Sequence, residues 1–269
     1  MRALWVWLLC LGIAAPALAL SGDDLNALLG EANTLFRQAN DLSLQDAAAA
    51  RDLYRRAALR YERIVREGGI HNGRLFYDIG NAYFRAQDIG RAILYYRRAQ
   101  LFIPGDSNVE QNLQYARSRR RDTFEEAQRT QVLKTLLFWH YDLSPRVRSV
   151  LFGVLFALFW IGAAVRLLRP SLVPRAGLIV TGVLAAVLLG SLLVESTTGG
   201  GRNEGVIVAQ QVIARKGDGE SYEPSFVEPL HAGAEFRLVR DRDDWLQIEL
   251  RDGRRCWIPA RVAGLVGRI

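Results

Sequence analysis

The chain has 269 residues, half of them hydrophobic, and a formal net charge of +7; that length allows one or two small domains beside any membrane segments. Divided by region, the charge excludes a nucleic-acid partner: residues 21–130 carry 17 Arg against 15 Asp/Glu, and residues 202–269 carry 11 basic against 11 acidic side chains. The surplus falls mainly in residues 131–201, beside apolar runs, where anionic headgroups would meet it.

Residues 1–19 combine one basic residue, an apolar stretch from Ala3 to Ala15, and small residues at Ala17 and Ala19. This is the pattern of a secretory signal, with cleavage expected after Ala19 and an uncleaved anchor as the alternative. Either outcome exports the segment that follows. Cys10 leaves with the signal, so Cys256 stands alone and no internal disulfide is expected. In its RRCWIP context Cys256 reads as a packed core residue.

Residues 20–130 read as a helical module. Asp46 to Glu67 and Leu75 to Leu101 place apolar residues three and four apart, and proline is absent until Pro104. Asp106 and Ser107 offer N-caps for a further helix expected to run through the RSRRRD segment, whose arginines read as a solvated face. Contact with acidic lipid is the alternative.

Residues 131–146 form an interfacial segment with Trp139 and Tyr141. Ser149 to Val165 and Ala176 to Val194 are uncharged runs of 17 and 19 residues. They predict transmembrane helices at 147–168 and 176–194, with Arg166 reaching toward the headgroups, joined by a cytoplasmic turn at 169–175. Arginines flank both ends, so charge alone does not orient the hairpin. An exported first module followed by two spans puts both soluble modules on the periplasmic side of a bacterial inner membrane.

ESTTGGGRN (195–203) reads as a flexible linker. Residues 204–269 then hold short runs rich in β-branched and aromatic residues, and WLQIEL places Leu246, Ile248 and Leu250 on one strand face. Asp252-Gly253 predicts a two-residue hairpin pairing WLQIEL with RRCWIP. Several short strands punctuated by Gly and Pro predict a small β-barrel, and the Asp-Gly hairpin, the alternating strand and the balanced charge point to one that folds by itself. The expected fold is thus a multidomain membrane protein: an all-α module, a two-helix transmembrane hairpin and a small all-β barrel.

Phe76-x2-Ile79-Gly80-x2-Tyr83, followed by Ala92-x3-Tyr96-x2-Ala99 and Pro104, resembles the tetratricopeptide repeat. A looser earlier copy uses Ala57, Tyr61 and Ile64, giving two repeats and a closing helix. The segments ARKGDGESYEP, LHAGAEFRLV, DDWLQIELRDGRRCWIP and ARVAGLV resemble a bacterial SH3-like (SH3b) domain, with Cys256 where many members have Gly. The order of these parts is similar to that of BatE-type proteins of the aerotolerance (Bat) operon. That resemblance implies partners among membrane proteins with von Willebrand factor A domains, and indirectly a MoxR-type ATPase.

In tetratricopeptide proteins the first helix of each pair lines the concave face, which here implies a partner-binding stripe of Arg74, Tyr77, Asn81, Phe84 and Arg85. Asn81 matches the asparagine of carboxylate-clamp repeats, although the clamp's usual lysine is missing beside it. Trp245 is the candidate edge of an SH3b groove, with a structural tryptophan as the alternative. No enzymatic chemistry is expected. His71, His140 and His231 lack ligand-spaced companions, Asp243 and Asp244 read as turn residues, and neither a catalytic residue, a metal nor a cofactor is implied. Two functions compete: a scaffold that holds envelope proteins, and a sensor whose SH3b domain binds peptidoglycan or a peptide.

Overall fold

The structure is a computed structural model and describes residues 21–122, 145–198 and 203–268, with single positions at 137, 139, 143 and 201. The signal sequence and most of the interfacial segment lie outside the described residues, as do Cys10, His140 and Tyr141.

Five helices come first: α1 (Gly22–Leu42), α2 (Ala47–Gly68), α3 (Gly73–Arg85), α4 (Ile89–Phe102) and α5 (Ser107–Ser118). Each start is chemically marked. Ser21 and Asp24 form a reciprocal capping box on α1, and Asp46, Asn72, Asp88 and Asp106 accept from backbone N–H groups opening the next four. The Ser21 hydroxyl and backbone N–H hold the Asp24 carboxyl below its usual range. Consecutive helices pack on one another, and α5 returns to touch α3 as well as α4.

The core explains two residue choices. A Cβ at Gly80 would lie 2.6 Å from the Tyr96 ring, so that ring rests directly on the α3 backbone. Ala92 is fully buried, as are Ile79 and Ile93. Tyr83 reaches through this core to donate to Glu62 at 2.8 Å. The RSRRRD segment departs from expectation. α5 stops at Ser118, and Arg117 and Arg120 turn inward onto a carboxylate of the β module instead of lining a solvated face.

α6 (Pro145–Leu168) and α7 (Arg175–Thr198) form the apolar pair. Arg146–Leu168 and Arg175–Val194 have mean hydropathies of 2.2 and 2.5 and are long and apolar enough to cross a membrane. Trp160, Ile161 and Ile179 on their outer faces are each more than half exposed. Arg148 is buried where the start of α6 meets the end of α7 and donates to Ser191 Oγ at 2.7 Å and the Leu143 carbonyl at 3.0 Å. Arg166 turns back on the chain and donates to the Pro170 and Val173 carbonyls, closing the turn between the helices. α7 runs on through Thr198, into the stretch read as linker, where Glu195 to Thr198 include neither Gly nor Pro.

The β module holds β1 (Glu204–Ile207), β2 (Gln211–Val212), β3 (Leu230–His231), β4 (Glu235–Arg242), β5 (Trp245–Leu250), β6 (Arg255–Pro259) and β7 (Ala263–Leu265). β6-β5-β4-β1-β7 make one antiparallel sheet, and β2 pairs with β3. Along β5, Leu246, Ile248 and Leu250 are buried in strict alternation, facing Ile207, Phe236 and Ile258. The β5–β6 turn has three loop residues, not two. Gly253 N–H donates to Leu250 O, Leu250 N–H donates to Arg254 O, and Gly253 takes a φ of 87°. A type I turn closed by a left-handed glycine matches the strand twist as well as the two-residue form does. Cys256 is buried in this core, and burial pushes its thiol up to about 12, which leaves it protonated and unreactive at neutral pH.

Candidate functional site

The α3 spacing of Tyr77, Asn81, Phe84 and Arg85 sets these four side chains on one stripe, and the structure opens a groove of about 860 Å³ over them. Arg74, one turn earlier, is exposed and is not part of the groove wall. Asn112, Tyr115 and Arg119, on α5 and just past its end, build the facing wall. Their spacing of three and four is a helical stripe that could have been read from the sequence. Phe36 of α1, Tyr96 and Ile89 of α4, and Gln87 before α4 complete the wall.

A polar chain fixes the three helices around the groove. Tyr96 O–H donates to Asn81 Oδ1 at 2.9 Å, and Asn112 Nδ2 donates to the same oxygen at 3.0 Å and to the Tyr77 hydroxyl at 2.9 Å. Burial raises the Tyr96 phenol above its ordinary value, so it remains a donor at neutral pH. Asn81 Oδ1 thus accepts twice, while its side-chain N–H groups donate no hydrogen bond among the described residues. The Phe84 and Tyr115 rings lie 5.4 Å apart, and Arg119 stacks on Tyr115 while donating to its hydroxyl at 2.7 Å. The groove therefore presents rings, amide donors and guanidinium groups.

The β module docks beside this groove. Val206 and Val266 are fully buried in the core of the helical module. A Cβ at Gly90 would meet the Ile207 carbonyl oxygen at 2.6 Å, so the first turn of α4 lies directly on the β1 backbone. At the centre of the junction Glu235 is almost fully buried. It accepts from Arg117 through both oxygens at 2.9 and 2.7 Å, from Arg120 at 3.1 Å and from Arg251 at 2.8 Å. Arg97 lies 3.7 Å away and also pairs with Glu204. Burial alone would raise the Glu235 carboxyl, but the Arg117 hydrogen bonds and the surrounding positive charges outweigh it and hold the group below its usual range. Asp122 accepts from the His231 backbone at 2.6 Å and faces its Nδ1 at 2.7 Å.

The other sequence candidates fall elsewhere. Trp245 is half-buried at the start of β5, opposite Arg242 and Pro259. One open groove of the β module is lined by Val212, Ile213, Phe226 and Val227. His71 is exposed and stacks on Phe76, whereas His231 belongs to the junction. Asp243 adopts a φ of 46° in the β4–β5 turn. Among the described residues no group of three or more His, Cys, Asp or Glu could hold a metal ion. No protein-family model, curated protein or solved structure matches the chain.

Proposed function

We propose that the chain is a non-enzymatic, membrane-anchored adaptor that holds an extended segment of a partner protein in the groove between α3 and α5. The observation that carries this reading is the groove itself: aromatic walls around Asn81, whose side-chain N–H groups donate no hydrogen bond among the described residues. Rings supply apolar area at low entropic cost, and amide and guanidinium donors recognise peptide carbonyls and carboxylates. In this reading the helical module is of the tetratricopeptide type, the β module is SH3-like, and α6 and α7 are the two spans of an inner-membrane protein of the BatE type. Its partners are then Bat-type membrane proteins with von Willebrand factor A domains, and indirectly a MoxR-type ATPase. Anchoring would raise the effective concentration of weak partners without stronger contacts.

Changing Asn81 and Arg85 together to Ala should weaken capture of such a partner by about tenfold or more, the effect of losing roughly 1.4 kcal/mol of contact energy. Arg85→Ala alone, which breaks no hydrogen bond among the described residues, should give part of that loss. Pull-down from solubilised membranes reads the effect, and circular dichroism reports on folding. Undiminished capture by the folded double variant would remove the groove from the function.

Export of the first module followed by two spans supports a periplasmic location for both soluble modules. Reporter fusions at Gly105 and Gly200 should therefore be active only with an enzyme that works after export. Activity of a cytoplasmic reporter at either position would reverse the topology. The sensor reading has its own observation in the exposed Ile213 and Val227 beside the β-module groove. Retention of the chain by purified peptidoglycan, lost on Val227→Asp, would favour it.

A further inference from the structure

The groove does not end at Arg119. Gln87, Ile89 and Arg119 also line a second cavity of about 630 Å³, which runs between the helical module and the β module. Its far wall is formed by Val208, Ala209 and Gln210 together with His231 and Ala232. The two cavities thus share a wall, and the second one exists only because the modules are docked.

The charge of this cleft is one-sided. Five arginines line it, at positions 55, 91, 119, 120 and 121, against one carboxylate, Asp88. Asp88 is already engaged, capping α4 at the Arg91 N–H and pairing with the Arg91 guanidinium at 2.6 Å. Arg120 shares Glu235. The neighbouring Asp122 is held by His231. Arg119 bonds only the neutral Tyr115 hydroxyl, and Arg55 and Arg121 have no hydrogen bond or ion pair among the described residues. Arg55, Arg119 and Arg121, all three exposed, therefore line a cleft whose one lining carboxylate among the described residues, Asp88, is already engaged. A cleft with one sign of charge and low-dielectric walls concentrates its field on whatever enters it.

We propose that groove and cleft are one composite site, and that its ligand is an extended polypeptide segment whose end inside the cleft is acidic. The inference rests on the adaptor reading and specifies its ligand. A lipid headgroup would match the charge of the cleft alone. Continuity with a groove walled by rings and amide donors favours a polypeptide, which can use both parts. The β module then serves as the wall that completes the charged half.

The test uses the full chain in nanodiscs of zwitterionic lipid, panned against a displayed library of random peptides. Wild type should select sequences with Asp and Glu concentrated toward one end. The Arg55→Glu, Arg121→Glu variant should fold normally, since neither side chain has a partner to lose. It should drop the acidic preference and bind the best wild-type peptide about tenfold more weakly, with the difference shrinking at high salt. The Asn81→Ala, Arg85→Ala variant should lose selection in both halves. Peptides selected without acidic bias, or a bias unchanged by the charge reversal, would overturn the inference and leave the adaptor reading standing. Failure of wild type to select any peptide would overturn both. Adding phosphatidylglycerol to phosphatidylcholine vesicles provides the second arm: binding to these, abolished by charge reversal and without an acidic peptide preference, would make the cleft a lipid site.

Discussion

Replacing Glu235 with Ala should destabilise the docked arrangement of the two modules by about 3–5 kcal/mol, the usual consequence of removing one partner from a buried ion pair. Arg117, Arg120 and Arg251 have no other carboxylate within ion-pair distance among the described residues, so all three are stranded together. Glu235→Gln keeps the shape and one acceptor but not the charge, and it should cost nearly as much. The β module's own core, built on Ile207, Leu246, Ile248 and Ile258, does not depend on Glu235. Hydrogen exchange should therefore accelerate at Val206–Val208 and around Arg117–Asp122 while the β5–β6 amides stay protected. Uniform loss of protection would mean that the cluster supports the β fold itself, and unchanged exchange would mean that it holds nothing. The same group sets a pH dependence. Its carboxyl is held below the ordinary value of 4.5, so its contribution is complete above that pH and disappears as pH falls through the lowered value. Undocking should accordingly begin below about pH 4.5 in wild type, and its pH dependence should be weaker in Glu235→Gln.

Gly80→Val should be the most damaging single change in the helical module. The new Cβ meets the Tyr96 ring at 2.6 Å, and that ring is fully enclosed, so it must move. Overpacking of this kind costs about 1–3 kcal/mol, and losing the Tyr96–Asn81 hydrogen bond adds about 1 kcal/mol. Valine's advantage over glycine in a helix returns only a few tenths of a kcal/mol, so strain wins. Thermal unfolding followed at the helical far-ultraviolet signal should shift downward by several degrees, and ligand capture should fall with it because Tyr96 forms part of the groove wall. Gly80→Ala adds less bulk and should lie between. A Gly80→Val chain as stable as wild type would show that the ring has room to shift.

Much of the groove was legible before any coordinates. Tyr77, Asn81, Phe84 and Arg85 share a face because helical periodicity puts them there, whatever surrounds the helix. Arg74 shares the periodicity but lies a turn short of where α5 closes the groove. The opposite wall was harder to see. Asn112 and Tyr115 carry the same helical spacing, but nothing local says that α5 folds back onto α3. In the β module, the cavity beside Ile213 and Val227 is lined by loop residues that residue type alone does not mark, whereas Trp245 sits half-buried at the start of β5.

The local features of this protein are written in its sequence. Side-chain caps at Ser21, Asp46, Asn72, Asp88 and Asp106 start helices through bonds spanning two or three residues. The alternation of β5 and the uninterrupted apolar runs of α6 and α7 likewise depend only on near neighbours. The junction does not. An arginine run reads the same whether it faces water or a carboxylate more than a hundred residues away, and Arg117 and Arg120 reach Glu235 across separations of 118 and 115 residues. Only the tertiary structure brought them together, because docking Val206 and Val266 against α4 buries Glu235, and a buried carboxylate requires cations that no local pattern had assigned to it.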